Sequence, residues 1–207
     1  MCNNSAKSLG FTLVELMITL AIAGILMTVG IPSFNSTISS TRLTGYANEF
    51  VTALNLARSE AVKRGISVTV RKVDNKSFTN RDAGANWEDG WDVFTDTDSD
   101  GDFDTGIDVL IRTFPPLQAS YILSGNNFSN FIRYKSSGQS NTFGSFVICE
   151  NSDNIERSNA VLKANKSRLI IVNATGRVRM GLDANNDGIP NTNSTATAVS
   201  NITSCTP

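Results

Sequence analysis

The sequence of 207 residues contains no histidine. This absence excludes histidine as a general base and histidine-ligated metal sites. The sequence also lacks a glycine-rich phosphate loop and any serine or cysteine arrangement that would activate a nucleophile. Its carboxylates cluster in a polar stretch, where they repel each other and stay solvated. Nothing in the sequence therefore supports catalysis, and we expect a protein that is not an enzyme.

A large net charge is also missing, since the formal value is −1. This small total hides two segregated blocks of charge. Residues 82–108 hold ten acids and no base, whereas residues 157–182 hold six bases and no acid. Local patches of this kind matter more for partner binding than the sum does. We therefore expect an acidic surface and a basic surface on the same chain.

One long apolar run begins at Phe11, ends at Ile31 and carries a single charge, Glu15. About twenty apolar residues suffice for a helix that crosses the hydrocarbon core of a membrane. A charge within such a run is costly, which marks Glu15 as a functional residue. A secretory signal peptide is one alternative, but no small-x-small cleavage site closes the run. A plain membrane anchor is the other, and it gives no reason for Glu15.

Residues 10–16, which read Gly-Phe-Thr-Leu-Val-Glu-Leu, resemble the class III signal of type IV pilins and type II secretion pseudopilins. The resemblance implies that a prepilin peptidase cuts between Gly10 and Phe11 and methylates the new amino terminus. It also implies that Glu15 pairs with the amino terminus of a neighbouring subunit, which supplies the partner that a buried carboxylate needs. Pro32 matches the family's proline, where the helix can loosen because one backbone donor is lost.

The apolar run continues into an amphipathic segment, so we predict one long helix over residues 11–63. A stripe of apolar residues at helical spacing marks the second half: Phe34, Ile38, Tyr46, Phe50, Leu54, Ala57 and Ala61. Gly65 is well placed to end the helix. The predicted organisation is a leader (1–10), a transmembrane or fibre-core half-helix (11–31), an amphipathic half-helix (32–64) and a β-rich globular domain with a tail (65–207).

Short β-like runs separated by turn residues follow the helix, which indicates an α+β fold. The runs cover residues 66–72, 91–94, 109–114, 121–123, 128–134, 143–149 and 169–172. Turn signals lie at Asn126-Asn127, Ser137-Gly138 and Thr175-Gly176.

The order of these segments resembles the GspH/FimT/FimU branch of the pilin-like proteins. The segments that carry the resemblance are residues 57–61, 66–70, 90–94, 142–149, 169–172 and 175–179. The branch implies a type IV pilin-like fold, in which a long N-terminal helix packs on antiparallel sheet. FimU-like minor pilins also pair a cysteine after such a strand with one near the terminus, which implies a disulfide between Cys149 and Cys205. Two free thiols are the alternative.

The acidic block contains Asp96, Asp98, Asp100 and Asp102 at alternate positions, with a glycine at position 101. This pattern matches the first half of an EF-hand loop, so the four aspartates are candidate Ca²⁺ ligands. The twelfth position holds an isoleucine instead of the usual bidentate glutamate. Residues 183–188 repeat the pattern more weakly. The alternative for both segments is a solvated turn, since Asp, Asn and Gly favour turns for local reasons.

The basic block contains Gly176-Arg177-Val178-Arg179 after an apolar run. In an extended chain Arg177 and Arg179 point to the same side, where each guanidinium can engage a phosphate. Three further basic residues are candidates to widen this footprint: Lys163, Lys166 and Arg168. A GRxR motif near the C-terminus resembles the DNA-binding element of FimT-type minor pilins that serve natural transformation. The alternative is that the arginines form salt bridges with the acidic block of the same or a neighbouring subunit.

We therefore expect a FimT/FimU-like minor pilin that contributes to pilus initiation at the tip, with a GspH-like pseudopilin of type II secretion as the alternative. The resemblance implies other minor and major pilins, prepilin peptidase and the bacterial inner membrane as partners. It also implies a periplasmic domain that later enters an extracellular pilus. Any binding of double-stranded DNA would be independent of sequence and sensitive to salt, because no aromatic residues interleave the basic stretch.

Overall fold

The computed structural model describes residues 10–73, 84–151, 166–191 and 204–205, apart from the side chains of residues 29–33. Within these residues, one long helix is followed by eight short strands and one 3₁₀ turn. The elements are α1 (Leu13–Arg64), β1 (Val68–Lys72), the 3₁₀ turn (Trp87–Asp89), β2 (Trp91–Thr95), β3 (Leu110–Phe114), β4 (Tyr121–Asn126), β5 (Phe131–Tyr134), β6 (Gly144–Glu150), β7 (Ser167–Val172) and β8 (Val178–Met180).

The predicted helix is confirmed, and it ends where the sequence indicated. The N–H of Gly65 donates to the carbonyl oxygen of Ala61 at 3.0 Å and closes the last turn. The strands form two four-stranded sheets with the orders β3-β2-β1-β5 and β4-β6-β7-β8, and neighbouring strands pair antiparallel. The chain is therefore an α+β protein, as the sequence predicted, with the long N-terminal helix and antiparallel sheets that the resemblance to type IV pilins implied.

The chain forms two compact units, residues 1–39 and 40–207. The second unit contains both sheets and the part of α1 that packs on them. Apolar residues three or four positions apart bury one face of this helical segment: Leu43, Ala47, Phe50, Ala53, Leu54, Ala57 and Ala61. These residues join both sheets in one hydrophobic core.

Phe50 lies at the centre of this core. Its ring contacts the rings of Trp91 on β2 and Phe146 on β6 edge to face, with centroids 5.0 and 4.6 Å apart. It also contacts Trp87, whose Nε1–H donates to the carbonyl oxygen of Phe128 at 2.8 Å. One helical side chain therefore connects both sheets and the 3₁₀ turn.

Phe34 and Ile38 do not continue the buried stripe that the sequence predicted. Their side chains are 70% and 52% exposed. They belong to the first unit, and the described residues of that unit contain α1 and no strand. Among the described residues, the apolar stripe of α1 therefore extends beyond the part of the helix that the sheets cover.

Candidate functional site

Thr12 caps the start of α1. Its Oγ1 accepts a hydrogen bond from the N–H of Glu15, and its carbonyl oxygen accepts one from the N–H of Leu16, both at 3.2 Å. Threonine at the cap and glutamate at the third helical position form the capping-box sequence. Glu15 thus lies in the first turn, where the helix dipole favours a carboxylate. Its side chain is exposed, so the described part of the chain does not bury this charge.

Apolar side chains on both sides of this cap are exposed, and the exposure continues along the following turns of α1. They include Phe11, Leu13, Val14, Leu16, Met17, Ile18, Leu20, Ile22, Ile25, Leu26 and Met27, each more than half exposed. Within the described residues, no helix has a stretch of the length and apolarity that crossing a membrane requires. The rest of the predicted leader, residues 1–9, lies outside the described residues. Pro32 lies within α1, but its side chain is also outside them.

The basic motif forms the turn and the second strand of the β7–β8 hairpin. The side-chain oxygen of Asn173 accepts hydrogen bonds from the Thr175 hydroxyl at 2.7 Å and the Arg177 N–H at 2.9 Å. Gly176 has φ +76°, and a Cβ there would lie 2.1 Å from the carbonyl oxygen of Gly138. Only glycine fits this close approach. Gly176 therefore determines the backbone conformation of the turn that precedes Arg177.

Arg177 and Arg179 lie on the same face of the hairpin, and both are exposed. Val178 and Met180 alternate with them and pack against the main core. The two arginines line a surface cavity of about 250 Å³ together with Ile171, which pairs with Arg179 across the hairpin. Among the described residues, no carboxylate forms a salt bridge with either guanidinium. The alternative in which these arginines form salt bridges with the acidic block of the same chain is therefore not observed in this part of the chain.

Arg168 and Lys166, two of the other three basic residues, do not join this pair. Arg168 lies on the opposite face of β7, where its Nη2 donates to the hydroxyl oxygens of Ser40 at 3.2 Å and Thr44 at 3.1 Å. Burial lowers the pKa of its guanidinium. The Nζ of Lys166 pairs with Glu150 at 3.0 Å. Lys163 lies outside the described residues. Within the described residues, the predicted footprint therefore comprises the two arginines, since Arg168 faces the other side of its strand and Lys166 is paired with Glu150.

Three carboxylates of the acidic block converge in the loop after β2. One oxygen each from Asp96, Asp98 and Asp100 lies within 4.8 Å of the others. Asp102, the fourth predicted ligand, is not in this group, because its carboxylate pairs with Arg71 on β1. Partial burial, followed by repulsion from the neighbouring carboxylates, raises the pKa of Asp104.

The second acidic segment forms a turn closed by its own carboxylate. The side chain of Asp183 accepts hydrogen bonds from the N–H groups of Asp187 at 3.2 Å and Gly188 at 2.7 Å. Such a turn needs no cation to hold it. Within the described residues, the converging acidic group is confined to the loop after β2.

Cys149 on β6 and Cys205 form the disulfide that the sequence implied, with their Cα atoms 5.9 Å apart. The bridge lies on the face of the second sheet that points away from α1, beside Ile122, Val147 and Leu169. It therefore fastens a residue close to the C-terminus to a central strand.

Sequence reasoning missed two kinds of positioning residue. Asn173 sets the turn before the arginines, and an asparagine two residues before a Thr-Gly pair is a recognisable signal for this role. Arg71 and Arg133 hold the acidic loop by donating to the carbonyl oxygens of Gly101 and Ser99, respectively. No local signal identifies these two arginines, because they come from strands distant in sequence.

Two family models match the chain. The model described as "Type II transport protein GspH" matches residues 46–176, and the model described as "Prokaryotic N-terminal methylation motif" matches residues 5–31. No curated protein matches the sequence.

Two crystal structures of the type IV minor pilin FimU from Pseudomonas aeruginosa (strain PAO1) are similar to this chain. The first is 19% identical, with a TM-score of 0.50, and the match covers 69% of this chain and 90% of FimU. The second is also 19% identical, with a TM-score of 0.48 and coverages of 68% and 93%. At this level of identity the first similarity establishes the fold alone. Because the GspH model matches more than half of the chain, this protein belongs to the GspH family and is a GspH/FimT/FimU-like pilin.

Proposed function

We propose that this chain is a minor pilin that enters a type IV pilus near its tip and helps to start pilus assembly. The observation that carries the proposal is the exposure of successive apolar side chains in the first half of α1, such as Leu13, Leu20 and Leu26. A helix that is apolar all round needs an apolar environment. Lipid supplies it before assembly, and the helices of neighbouring pilins supply it afterwards.

In this account prepilin peptidase cuts between Gly10 and Phe11 and methylates the new amino terminus. Residues 11–31 then hold the protein in the inner membrane, with residues 65–207 in the periplasm. On assembly the helix moves into the fibre core, where it meets other minor and major pilins. Glu15 pairs there with the amino terminus of a neighbour, because a carboxylate in an apolar fibre requires an opposite charge.

The test is complementation of a deletion strain with wild-type protein, Glu15→Ala or Glu60→Ala. Glu60 is the matched control, because it lies on the same helix but pairs with Lys63 and Arg64 of its own chain. Surface pili are counted by electron microscopy, and secreted enzymes are assayed in the medium. We expect the deletion and Glu15→Ala strains to lose pili and the Glu60→Ala strain to keep them. Normal pili with enzymes retained in the cell would instead identify a type II secretion pseudopilin.

A second candidate function is contact with double-stranded DNA during uptake. The exposed pair Arg177 and Arg179 favours it, since the two guanidiniums share one face and no described carboxylate neutralises them. Two phosphate contacts make binding weak and independent of sequence. They also give log K a slope of about −2 against log salt, at roughly −0.9 per neutralised phosphate.

The test is a titration of the full processed chain in non-ionic detergent with double-stranded DNA at several salt concentrations. The Arg177→Ala/Arg179→Ala protein is compared with Lys63→Ala/Arg64→Ala, which removes the same charge at the end of α1. Loss of binding in the first variant alone supports DNA contact by the hairpin. Equal loss in both variants, or no binding by the wild type at low salt, contradicts it.

A further inference from the structure

The loop after β2 combines one buried and two exposed carboxylates. Asp96 follows directly on β2 and has no exposed surface, whereas Asp98 and Asp100 are exposed. One oxygen from each lies within 4.8 Å of the others. Three like charges at this separation repel each other unless a cation lies among them.

The two oxygens of the Asp96 carboxylate differ in their partners. Oδ2 accepts a hydrogen bond from the Thr69 hydroxyl at 2.6 Å and lies 3.6 Å from the Arg133 Nη1. Oδ1 is buried and has no hydrogen-bond partner among the described residues. A buried carboxylate oxygen without a partner is costly. The sheet therefore holds one oxygen of this carboxylate, while the other oxygen is buried without a described partner.

The backbone of the loop is held in place from the strand side. The Arg133 Nη1 donates to the carbonyl oxygen of Ser99, and the Arg71 Nη1 donates to that of Gly101 at 2.6 Å. Gly101 has φ +91°, and a Cβ there would lie 2.5 Å from the Phe131 ring. A calcium loop of the EF-hand type requires glycine at this same position, after the third ligand, for its sharp turn.

We propose that Asp96, Asp98 and Asp100 form a Ca²⁺ site that fixes the loop after β2. Ca²⁺ takes six to eight oxygen ligands in flexible geometry, so water and backbone carbonyls complete the shell. Mg²⁺ demands a stricter octahedron and gives up its own water reluctantly, so it binds less well to three carboxylates on one side. The bidentate glutamate of the twelfth position is replaced by Ile107. The expected Kd is therefore about 10⁻⁴–10⁻³ M, the range of weak extracellular calcium modules.

The experiment is isothermal titration of the full processed chain in non-ionic detergent, first stripped with EDTA and then titrated with CaCl₂ or MgCl₂. Asp98→Asn and Asp100→Asn are the test variants, since both positions are exposed and tolerate an amide. Asp104→Asn is the charge-matched control, because it removes one charge from the same loop but lies outside the converging group. Thermal unfolding with and without Ca²⁺ provides the second readout, since a ligand that binds the folded state raises Tm.

We expect one Ca²⁺ site in the wild type, an affinity at least about tenfold weaker in each test variant, and a change below about threefold in the control. The Ca²⁺-dependent rise in Tm should follow the same order. The proposal is overturned if no heat of binding and no shift in Tm occur up to about 10 mM Ca²⁺, well above the expected Kd. Equal weakening in all three variants also overturns it, because that result indicates diffuse attraction of counter-ions. Equal binding of Mg²⁺ excludes the calcium assignment.

Discussion

The two halves of helix α1 differ in what covers them. In the first half Leu20 is 63% exposed, whereas in the second half Leu54 has no exposed surface. The second half meets two sheets of its own chain, but the first half meets no strand among the described residues of its unit. The apolar side chains of the two halves therefore have different roles. Those of the second half form the domain core, and, in our proposal, those of the first half contact neighbouring subunits.

The largest effect on the domain should come from Phe50→Ala. This change removes the ring that contacts Trp87, Trp91 and Phe146, and truncation of a buried phenylalanine typically costs about 3–5 kcal/mol. Chemical denaturation followed by tryptophan fluorescence measures this loss. The first-half counterpart Leu20→Ala should change the free energy of unfolding by less than about 0.5 kcal/mol, as for exposed positions in general. A similar loss in both variants would remove the distinction between the two halves.

Removal of the disulfide should have the next largest effect, again confined to the second unit. Cys149→Ser or Cys205→Ser opens a loop of 56 residues in sequence separation, and loss of a native bridge usually costs about 2–5 kcal/mol. Unfolding of oxidised wild-type protein and of the variant measures the difference. The incorporation of folded subunits into pili should be unchanged at low temperature, because the bridge lies on the sheet face that points away from α1.

Arg168→Ala should destabilise the domain moderately, whereas Arg179→Ala should not. Arg168 links β7 to the start of the second unit through Ser40 and Thr44, and a single hydrogen bond to a charged group contributes about 1.5–3 kcal/mol when well buried. Because Arg168 is only half-buried, we expect about 1 kcal/mol after solvent screening. Arg179 is exposed and should have an effect within about 0.5 kcal/mol. The two variants separate a structural arginine from a candidate binding arginine.

The smallest effect should come from Asp104→Asn, measured in EDTA. The pKa of this carboxyl is raised in the folded protein, so its ionised form opposes folding above that pKa. The amide should therefore give a slight gain in stability at neutral pH. The gain should vanish once the pH falls below the pKa that this carboxyl has in the unfolded protein, because the carboxyl is then protonated in both the folded and the unfolded protein. A gain that persists in acid would show that charge repulsion is not its cause.

Local patterns predicted most of the fold. Helical spacing, the stop at Gly65 and the turn residues placed α1 and seven of the strands, because each of these signals lies within a few residues. Family resemblance supplied the pairing of Cys149 with Cys205. The sequence did not predict the exposure of Phe34, because helical periodicity shows which face is apolar but not where the sheet that covers it ends.

The candidate sites were less predictable, because they depend on contacts between distant residues. The alternation of side chains along a strand placed Arg177 and Arg179 on one face. It did not show that Arg168, on the neighbouring strand, lies on the opposite face. Likewise, a spacing of two residues grouped Asp102 with the preceding aspartates, although Arg71 from β1 draws its carboxylate away. Register across a sheet and ion pairs between strands have no local sequence signal.

The most direct test of the central claim is mass spectrometry of pili sheared from cells that carry wild-type protein or Glu15→Ala. We expect the wild-type subunit in the pilus fraction, with an N-terminal peptide that begins at methylated Phe11. We expect the Glu15→Ala subunit to be processed but absent from pili. A subunit that keeps Met1, or a Glu15→Ala subunit that enters pili as efficiently as the wild type, would contradict the account.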